Sequence, residues 1–360
     1  MQNKNNHLSV LLTCVGSQVI PSVTELIRSH PDYKIRIIGV DTQPKINSVG
    51  AWFCDSFYQV PQGDAQGFLE KIEDIIDEEG VRVVIPGSEE EVLSLSKEKK
   101  NLKDKYNCQV VSSPYNVVKT AASKLAILNE LSKLGMKLCR YSSIKSIDDI
   151  SRFAENIGYP DNNFIIKPIS SRGSRGFHII TPKVDNRQVF YSRDHSRMTL
   201  EALLTFFKNY PDDIEKCLLM EYLPGDKYSS DILVEKGKIA SMVTRCNGPA
   251  PKLNPPTQLA DIVFDNDVRE YATEITEKLG FDYFIQIETG RDLNNNVRFI
   301  ETNPRTDATL PITLGLGINF YHEFITYAIE GTMREGIPYY KSSAKKLRFF
   351  RRWQEVFIDK

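Results

Sequence analysis

No two cysteines in this chain are spaced as CxxC, and no Cys-x-His cluster occurs. The six cysteines, at 14, 54, 108, 139, 217 and 246, are widely separated. That spacing argues against a zinc site or a disulfide frame and for scattered core thiols in a reducing compartment. No apolar stretch reaches the roughly 18 residues that a spanning helix needs. A net charge of −1 provides no global field for nucleic acid or an acidic membrane, so neither is an expected partner. The dinucleotide fingerprint GxGxxG is missing, as is any GK[ST] phosphate loop, and there are no repeats or low-complexity segments. The N-terminal "HLSVLLTCVGS" lacks the small residue before Cys14 that a lipoprotein cleavage site uses, and Ser9 interrupts its apolar run. It reads as a buried first strand of a cytoplasmic protein.

What is present is ordinary globular material. Of 360 residues, 41% are hydrophobic and 26% charged, enough for two or three cored domains. The first third alternates apolar strands ("LSVLLTCV", "KIRIIGVDTQ", "VRVVIPGS", "CQVVSS") with amphipathic helices, a pattern that predicts a parallel sheet covered on both faces. "PGSEEEV" sets Ser88 at a helix start, either as an N-cap on an acidic first turn or beside amide groups open to an anion. Pro114 marks a boundary. Beyond it, "NVVKTAASKLAILNELSKLG" predicts one long helix with Lys124 in its middle, and Ser146 caps the next. "KCLLMEYLPG" and "SSDILVEKGKIASMVTRC" predict three successive antiparallel strands, turning at Gly225 and at Lys236–Gly237. "YFIQIETG" and "VRFIETNP" predict a hairpin across "RDLNNN".

Two segments carry chemistry. "FIIKPISSRGSRGFHII" places Lys167 at the end of a strand, followed by a loop of serines, two arginines and two glycines. Its glycines allow close backbone approach, and its many donors suit phosphate oxygens. A solvated surface hairpin reads equally well from the loop alone. About 120 residues later, "IQIETGRDLNNNVRFIETNPR" brings Gln286 and Glu301 onto paired strands, with Asn303 on the same face by the period-two rule. Three converging oxygen-bearing side chains fit Mg²⁺ shared with nucleotide phosphates. Arg305 follows, in reach of a phosphoryl or anionic group. Arg245, in "SMVTRCNG", is a second candidate of that kind, or a surface arginine at a strand end.

With these motifs in order, the chain resembles the ATP-grasp superfamily over roughly Leu8 to Gly331. It is most similar to the branch holding the carbamoyl-phosphate synthetase large subunit and the carboxylate–amine ligases. The resemblance implies an α/β ATP-grasp fold. A Rossmann-like pre-ATP-grasp domain (1–113) would precede two α+β lobes that clamp ATP. These would be a small lobe with a glycine-rich lid (114–216) and a C-terminal lobe with the adenine hinge and metal strands (217–335), before a basic aromatic tail (336–360).

The same resemblance implies the site roles. Lys124 and Lys167 would contact the phosphates, and Ser170, Ser171, Arg172, Gly173, Ser174, Arg175 and Gly176 would form the lid. Glu221, Tyr222 and Leu223 would hold adenine. Gln286, Glu301 and Asn303 would bind Mg²⁺ or Mn²⁺, with two ions expected. Arg305 and Arg245 would be catalytic. Glu288, on the same face, is an alternative metal ligand. Lys227 stands where relatives carry an acid for the ribose, which leaves Asp231 or Asp226 for that task.

The implied activity is ADP-forming ligation of a small-molecule carboxylate to an amine through an acylphosphate. A phosphotransferase acting without ligation and a non-catalytic nucleotide-binding subunit are the alternatives. A homodimer is a family expectation. The proline-rich "RCNGPAPKLNPPTQLAD" either closes the acceptor pocket or is an ordinary connection, and "KKLRFFRRWQEVFIDK" is expected to dock on its own domain.

Overall fold

The computed structural model describes residues 6–170, 176–185, 187, 191, 196–248, 259–338, 347–352, 355 and 357. Strands β1 (His7–Leu12), β2 (Lys34–Asp41), β3 (Ser56–Gln59), β4 (Val81–Ile85) and β5 (Gln109–Val110) pair in parallel in the order β3-β2-β1-β4-β5. Helices α1 (Ile20–Arg28), α2 (Phe68–Glu79) and α3 (Glu89–Tyr106) lie between them in sequence. Adjacent residues of one strand enter different cores: Val10 and Ile37 one, Leu11 and Ile38 another. Burial on both faces is why these strands read as continuous apolar runs. Strand β3 has no such run. "SFYQ" is half exposed at the sheet edge, and the sequence pattern passes over it. The strand expected over 108–113 pairs only through Gln109 and Val110.

The first βα turn is closed by its own chain. Gly16 N–H donates to Asp41 Oδ2 at 2.7 Å, and Gln43 N–H to Asp41 Oδ1 at 2.9 Å. A Cβ on Gly50 would sit 2.3 Å from the carbonyl oxygen of Val15, so the segment Val49–Phe53 presses directly on that turn. Ser88 is a helix cap. Its hydroxyl accepts from Glu91 N–H at 3.3 Å, as the N-cap reading expects.

The second sheet holds β6 (Tyr141–Ser143), β7 (Phe164–Pro168), β8 (His178–Ile180), β9 (Arg197–Met198) and β10 (Cys217–Glu221), in the order β6-β10-β7-β8-β9. Helices α4 (Tyr115–Ala122), α5 (Lys124–Lys133), α6 (Ile147–Ile157) and α7 (Leu200–Asn209) accompany it. Helix α6 shows the local logic. Ser146 and Asp149 form a capping box, Ile150, Phe153, Ala154 and Ile157 make one buried face, and Gly158 ends the helix at φ 81°. The single helix expected over 116–135 is two. Ser123 leaves helical geometry and caps α5 by accepting from Ala126 N–H, so Lys124 opens a helix instead of standing mid-helix.

The third sheet is antiparallel, ordered β15-β14-β11-β12-β13-β16: β11 (Lys227–Glu235), β12 (Lys238–Gly248), β13 (Leu259–Val263), β14 (Tyr283–Arg291), β15 (Val297–Asn303) and β16 (Leu347–Phe350). Helices α8 (Asn266–Leu279) and α9 (Phe320–Glu330) complete it. The hairpins at Lys236–Gly237 and across 291–296 form as expected, with φ 50° and 81° at the first. The expected three-strand succession does not. Strand β10 pairs with β6 and β7, not with β11, because the chain crosses between sheets after Glu221. Cys217–Glu221 therefore belongs with strands that precede the expected boundary at 217. The tail segment Leu347–Phe350 docks on Leu259–Ile262, as an extra edge strand.

Ile165, Leu218 and Met220 of the second sheet share one core with Ile232, Ile285 and Phe299 of the third. Helix α9 contributes Phe320, Phe324 and Ile325 to the core that also holds Leu8, Val10 and Ile37. Among the described residues, no helix is long and apolar enough to cross a membrane, and all six cysteines are free.

Candidate active site

Strand alternation and register put the polar side chains of the third sheet on one face. Asp231 is opposite Gln286, which is opposite Asn303; Ser229 is opposite Glu288, which is opposite Glu301. Arg245 on β12 faces Ser229 in the same row. On the second sheet, Lys167 stands next to the end of β7, 4% exposed, and crosses the gap between the sheets. Its Nζ donates to the Ile300 carbonyl at 3.1 Å and lies 3.8 Å from Glu301 Oε2. Burial holds the Lys167 ammonium below the usual lysine range, while Glu301 pulls it back up. Lys124 N–H donates to the Ile169 carbonyl at 3.4 Å, which ties the start of α5 to the segment following β7. The Lys124 charge also lowers Lys167, which places the two lysines within electrostatic reach.

Behind Glu301 lies a buried charged group. Arg245 donates to Asp231 Oδ2 through Nη1, and its Nη2 lies 3.6 Å from Asp307 Oδ2. Gln286 Nε2 donates to Asp231 Oδ1 at 2.8 Å and to Asp307 Oδ2 at 2.7 Å, and Asn303 Nδ2 donates to Gln286 Oε1 at 2.9 Å. Burial lifts Asp231 to about 6 against the pull of Arg245. Asp307 goes down despite burial, because Arg245 and bonds from Thr309 and Gln286 favour its charged form. Glu288 is pushed to about 8, by burial and then by the neighbouring Glu301 carboxylate. A divalent cation would relieve that repulsion, and the oxygens of Gln286, Glu288, Glu301 and Asn303 are the hard ligands magnesium takes. The donor set fits the ion.

Two expectations change here. Arg245 is not a surface residue: it is 2% exposed and two of its nitrogens face Asp231 and Asp307. Its buried Nε has no partner among the described residues. Asp231 is fully buried with each oxygen taken by Arg245 or Gln286, so it has no surface to offer a ribose. At the expected hinge, Glu221 Oε2 accepts from Arg140 N–H at 3.1 Å and Nε at 3.3 Å. Lys227 Nζ donates to the Leu223 carbonyl and lies 5.6 Å from the Tyr222 ring centroid. Leu223 is in the core shared by the two sheets.

Of the expected lid, Ser171, Arg172, Gly173, Ser174 and Arg175 lie outside the described residues, as does 249–258 of the proline-rich segment. Ser170 and Gly176 are the described ends of the lid. Gly176 sits at φ 73°, where a Cβ would come 2.7 Å from Pro168 Cγ.

Asp307 and Glu89 do not stand out in the sequence. Asp307 continues the alternation Asn303, Arg305, Asp307, a signal that stops being followed where the strand ends. Glu89 opens α3, a domain away, and responds to Arg305, Lys124 and Glu301. Nothing local in "PGSEEEV" announces that electrostatic influence.

Residues 213–346 match the family model described as ATP-grasp in the biosynthetic pathway with Ter operon, and residues 10–111 match the PylC-like N-terminal domain. The chain carries an ATP-grasp domain. Among curated proteins, the chain is 24% identical over 207 residues to the carbamoyl phosphate synthase large chain of Methanothermobacter thermautotrophicus, covering 56% of this chain and 18% of that one. The Arthrobacter large chain is 21% identical over 299 residues, covering 79% and 25%. The chain thus spans a quarter or less of the length of these relatives.

Solved structures share the fold. The biotin carboxylase domain of Hydrogenobacter thermophilus 2-oxoglutarate carboxylase, in complex with MgADP and bicarbonate, superposes with a TM-score of 0.68 at 18% identity, covering 91% of this chain and 70% of that one. N5-carboxyaminoimidazole synthetase from Staphylococcus aureus, complexed with ADP, gives 0.66 at 15%, covering 92% and 79%. The L-amino acid ligase of Bacillus licheniformis gives 0.65 at 13%, covering 92% and 78%.

Proposed function

We propose that this protein is an ADP-forming ligase that activates a small-molecule carboxylate as an acylphosphate and joins it to an amine. The reading rests on one observation above others: Lys167 and Glu301, from different sheets, stand 3.8 Å apart at the mouth of a buried polar face. A cation for phosphate oxygens thereby adjoins a carboxylate set suited to magnesium.

In this reading the ATP phosphates lie between Lys124 and Lys167, with Ser170 to Gly176 folding over them. Gln286, Glu301 and Asn303 hold Mg²⁺, with Glu288 as a further ligand. The ion supplies charge neutralisation for the phosphoryl oxygens. Glu221, Tyr222 and Leu223 receive adenine; Glu221 retains Oε1 for the exocyclic amine, since Oε2 is engaged by Arg140. Arg305 binds the carboxylate, whose oxygen attacks the γ-phosphorus as ADP leaves. The amine then attacks the acyl carbon and phosphate departs, taking the C–O bond electrons. Arg245 acts chiefly by fixing Asp231 and Asp307, with Nε left to donate. Positioning and electrostatics carry such a transfer, and a closed lid keeps water from the acylphosphate.

The test combines ATP, Mg²⁺, pooled carboxylates and hydroxylamine, which traps an acylphosphate as a hydroxamate. ADP and hydroxamate in equal amounts are expected, both lost in Glu301→Ala. ADP release without hydroxamate from any carboxylate would remove the ligase reading.

A further inference from the structure

Arg351 reaches the site from beyond the family-matched segment, which ends at residue 346. Leu347 is opposite Ile262, and Ile262 is opposite Arg245, so β16 joins the row of strands bearing the site. Alternation from Leu347 through Phe349 carries that face on to Arg351, just past the strand end. There its Nη2 donates to the Ala308 carbonyl, and its guanidinium lies 5.5 Å from the Phe349 ring centroid. Both Asp307 and Arg245 act on its charge.

Three features set Arg351 apart from an ordinary tail arginine. Its Nη1 is buried with no hydrogen-bond partner among the described residues, as is Nε of Arg245. It makes no ion pair among the described residues, in contrast with Arg348 three residues earlier, which pairs with Asp261 at 2.6 Å. It is also one of two such arginines flanking the same short segment. Arg305 donates to the Thr306 carbonyl at 3.3 Å and likewise makes no ion pair among the described residues, so Thr306 to Ala308 runs between two guanidiniums that share the one Asp307 carboxylate within that segment. A buried N–H donor without a partner is costly, and the cost is recovered when a ligand brings an acceptor, most of all an anionic one.

We propose that Arg351 is a second anion-binding point in the acceptor pocket, and that the carboxylate substrate therefore carries two negatively charged groups. One is activated beside Arg305 and Glu301, and the other is held by Arg351. This rests on the ligase reading for the role of the first group, while the second follows from Arg351 alone. A carboxylate and a phosphate ester share the required chemistry, since a planar guanidinium fork binds either in two-point fashion.

The test measures binding and turnover separately. Succinate, glutarate, aspartate, glutamate and O-phosphoserine are compared with butyrate and alanine. Calorimetry is run with a non-hydrolysable ATP analogue and Mg²⁺, and hydroxamate formation with ATP and hydroxylamine. At least one dianion is expected to bind about tenfold or more tighter than its monoanionic counterpart. Which one does so distinguishes a second carboxylate from a phosphate ester. Arg351→Gln is expected to remove that advantage while the KM for ATP stays within about twofold, and Arg351→Lys to restore part of it. Arg348→Gln, on the same strand, is the control for strand docking and is expected to match the parent.

Equal loss in Arg348→Gln and Arg351→Gln, dianions bound no better than monoanions, or no dianion bound would overturn the proposal. Arg351-dependent dianion binding without any hydroxamate would sustain it and remove the ligase reading instead.

Discussion

Lys167 Nζ lies 3.8 Å from Glu301 Oε2, although 133 residues separate the lysine from its hydrogen-bond acceptor, Ile300, next to that glutamate. The pair joins the second sheet to the third at the point where both carry polar side chains. A 4% exposed ammonium beside a half-buried carboxylate is a poor device for stability, since desolvation offsets most of the attraction. It is a good device for receiving a polyphosphate and its metal.

The two residues of that pair should fail differently. Lys167→Ala is expected to weaken ATP binding by about tenfold or more, and Glu301→Ala to lower turnover at least about a hundredfold. Nucleotide titration and ADP release measure the two effects. Unchanged turnover in Glu301→Ala would remove the metal assignment. Chelation by EDTA is expected to stop ADP release, and added Mg²⁺ or Mn²⁺ to restore it.

Arg245 and Asp231 are 2% and 0% exposed and bonded to one another. Arg245→Met alone leaves Asp231 and Asp307 without their buried cation and is expected to cost about 3–5 kcal/mol in urea unfolding. Replacing Arg245 and Asp231 together by apolar residues of similar volume is expected to cost less than the two single changes added. Strict additivity would show that the pair does not act as a unit.

Gly176 holds φ 73° at the end of the proposed lid segment, where a Cβ would meet Pro168 Cγ at 2.7 Å. Gly176→Ala is expected to cost about 1–2 kcal/mol of local backbone strain and to raise the KM for ATP. Global stability should change little if that end yields locally. Thermal unfolding with and without nucleotide separates the two effects.

His30 links the first domain to α9. Its Nε2 lies 3.2 Å from Thr326 Oγ1, and its ring stacks near Tyr33 and His322, with Asp32 and Arg334 also acting on it. Burial, then the His322 and Arg334 charges, lowers it from 6.5 to about 4, so it is neutral in the folded state. The unfolded chain therefore binds more protons between about 4 and 6.5. The stabilising contribution is fully present above about 6.5 and is lost as pH falls towards 4. A melting temperature that drops by several degrees over that window, with a smaller drop in His30→Gln, is the expected result. Parallel pH profiles for both proteins would exclude His30 as the source.

Some elements were legible because their causes are local. The capping box at Ser146, the Lys236–Gly237 turn and the 291–296 hairpin each depend on a few adjacent residues. The same-face placement of Glu301 and Asn303 needs only strand alternation. Other elements escaped for equally physical reasons. Strand β10 looks like a partner for β11, yet lateral hydrogen bonding to β6 and β7 claims it. Ser123 breaks a helix whose apolar pattern runs on without interruption.

Chain order by itself determined the alternation of the first domain, the local caps and turns, and the residue types proposed for phosphate and metal, since these act over a few residues. Which charges would meet was settled only by folding. Arg245 against Asp231 and Asp307, Glu89 near Arg305, and Arg351 on the Asp307 loop arise from sheets and helices packing across long separations. Burial then raises the Asp231 carboxyl and leaves Arg245 Nε and Arg351 Nη1 without partners among the described residues, an outcome that residue spacing does not encode.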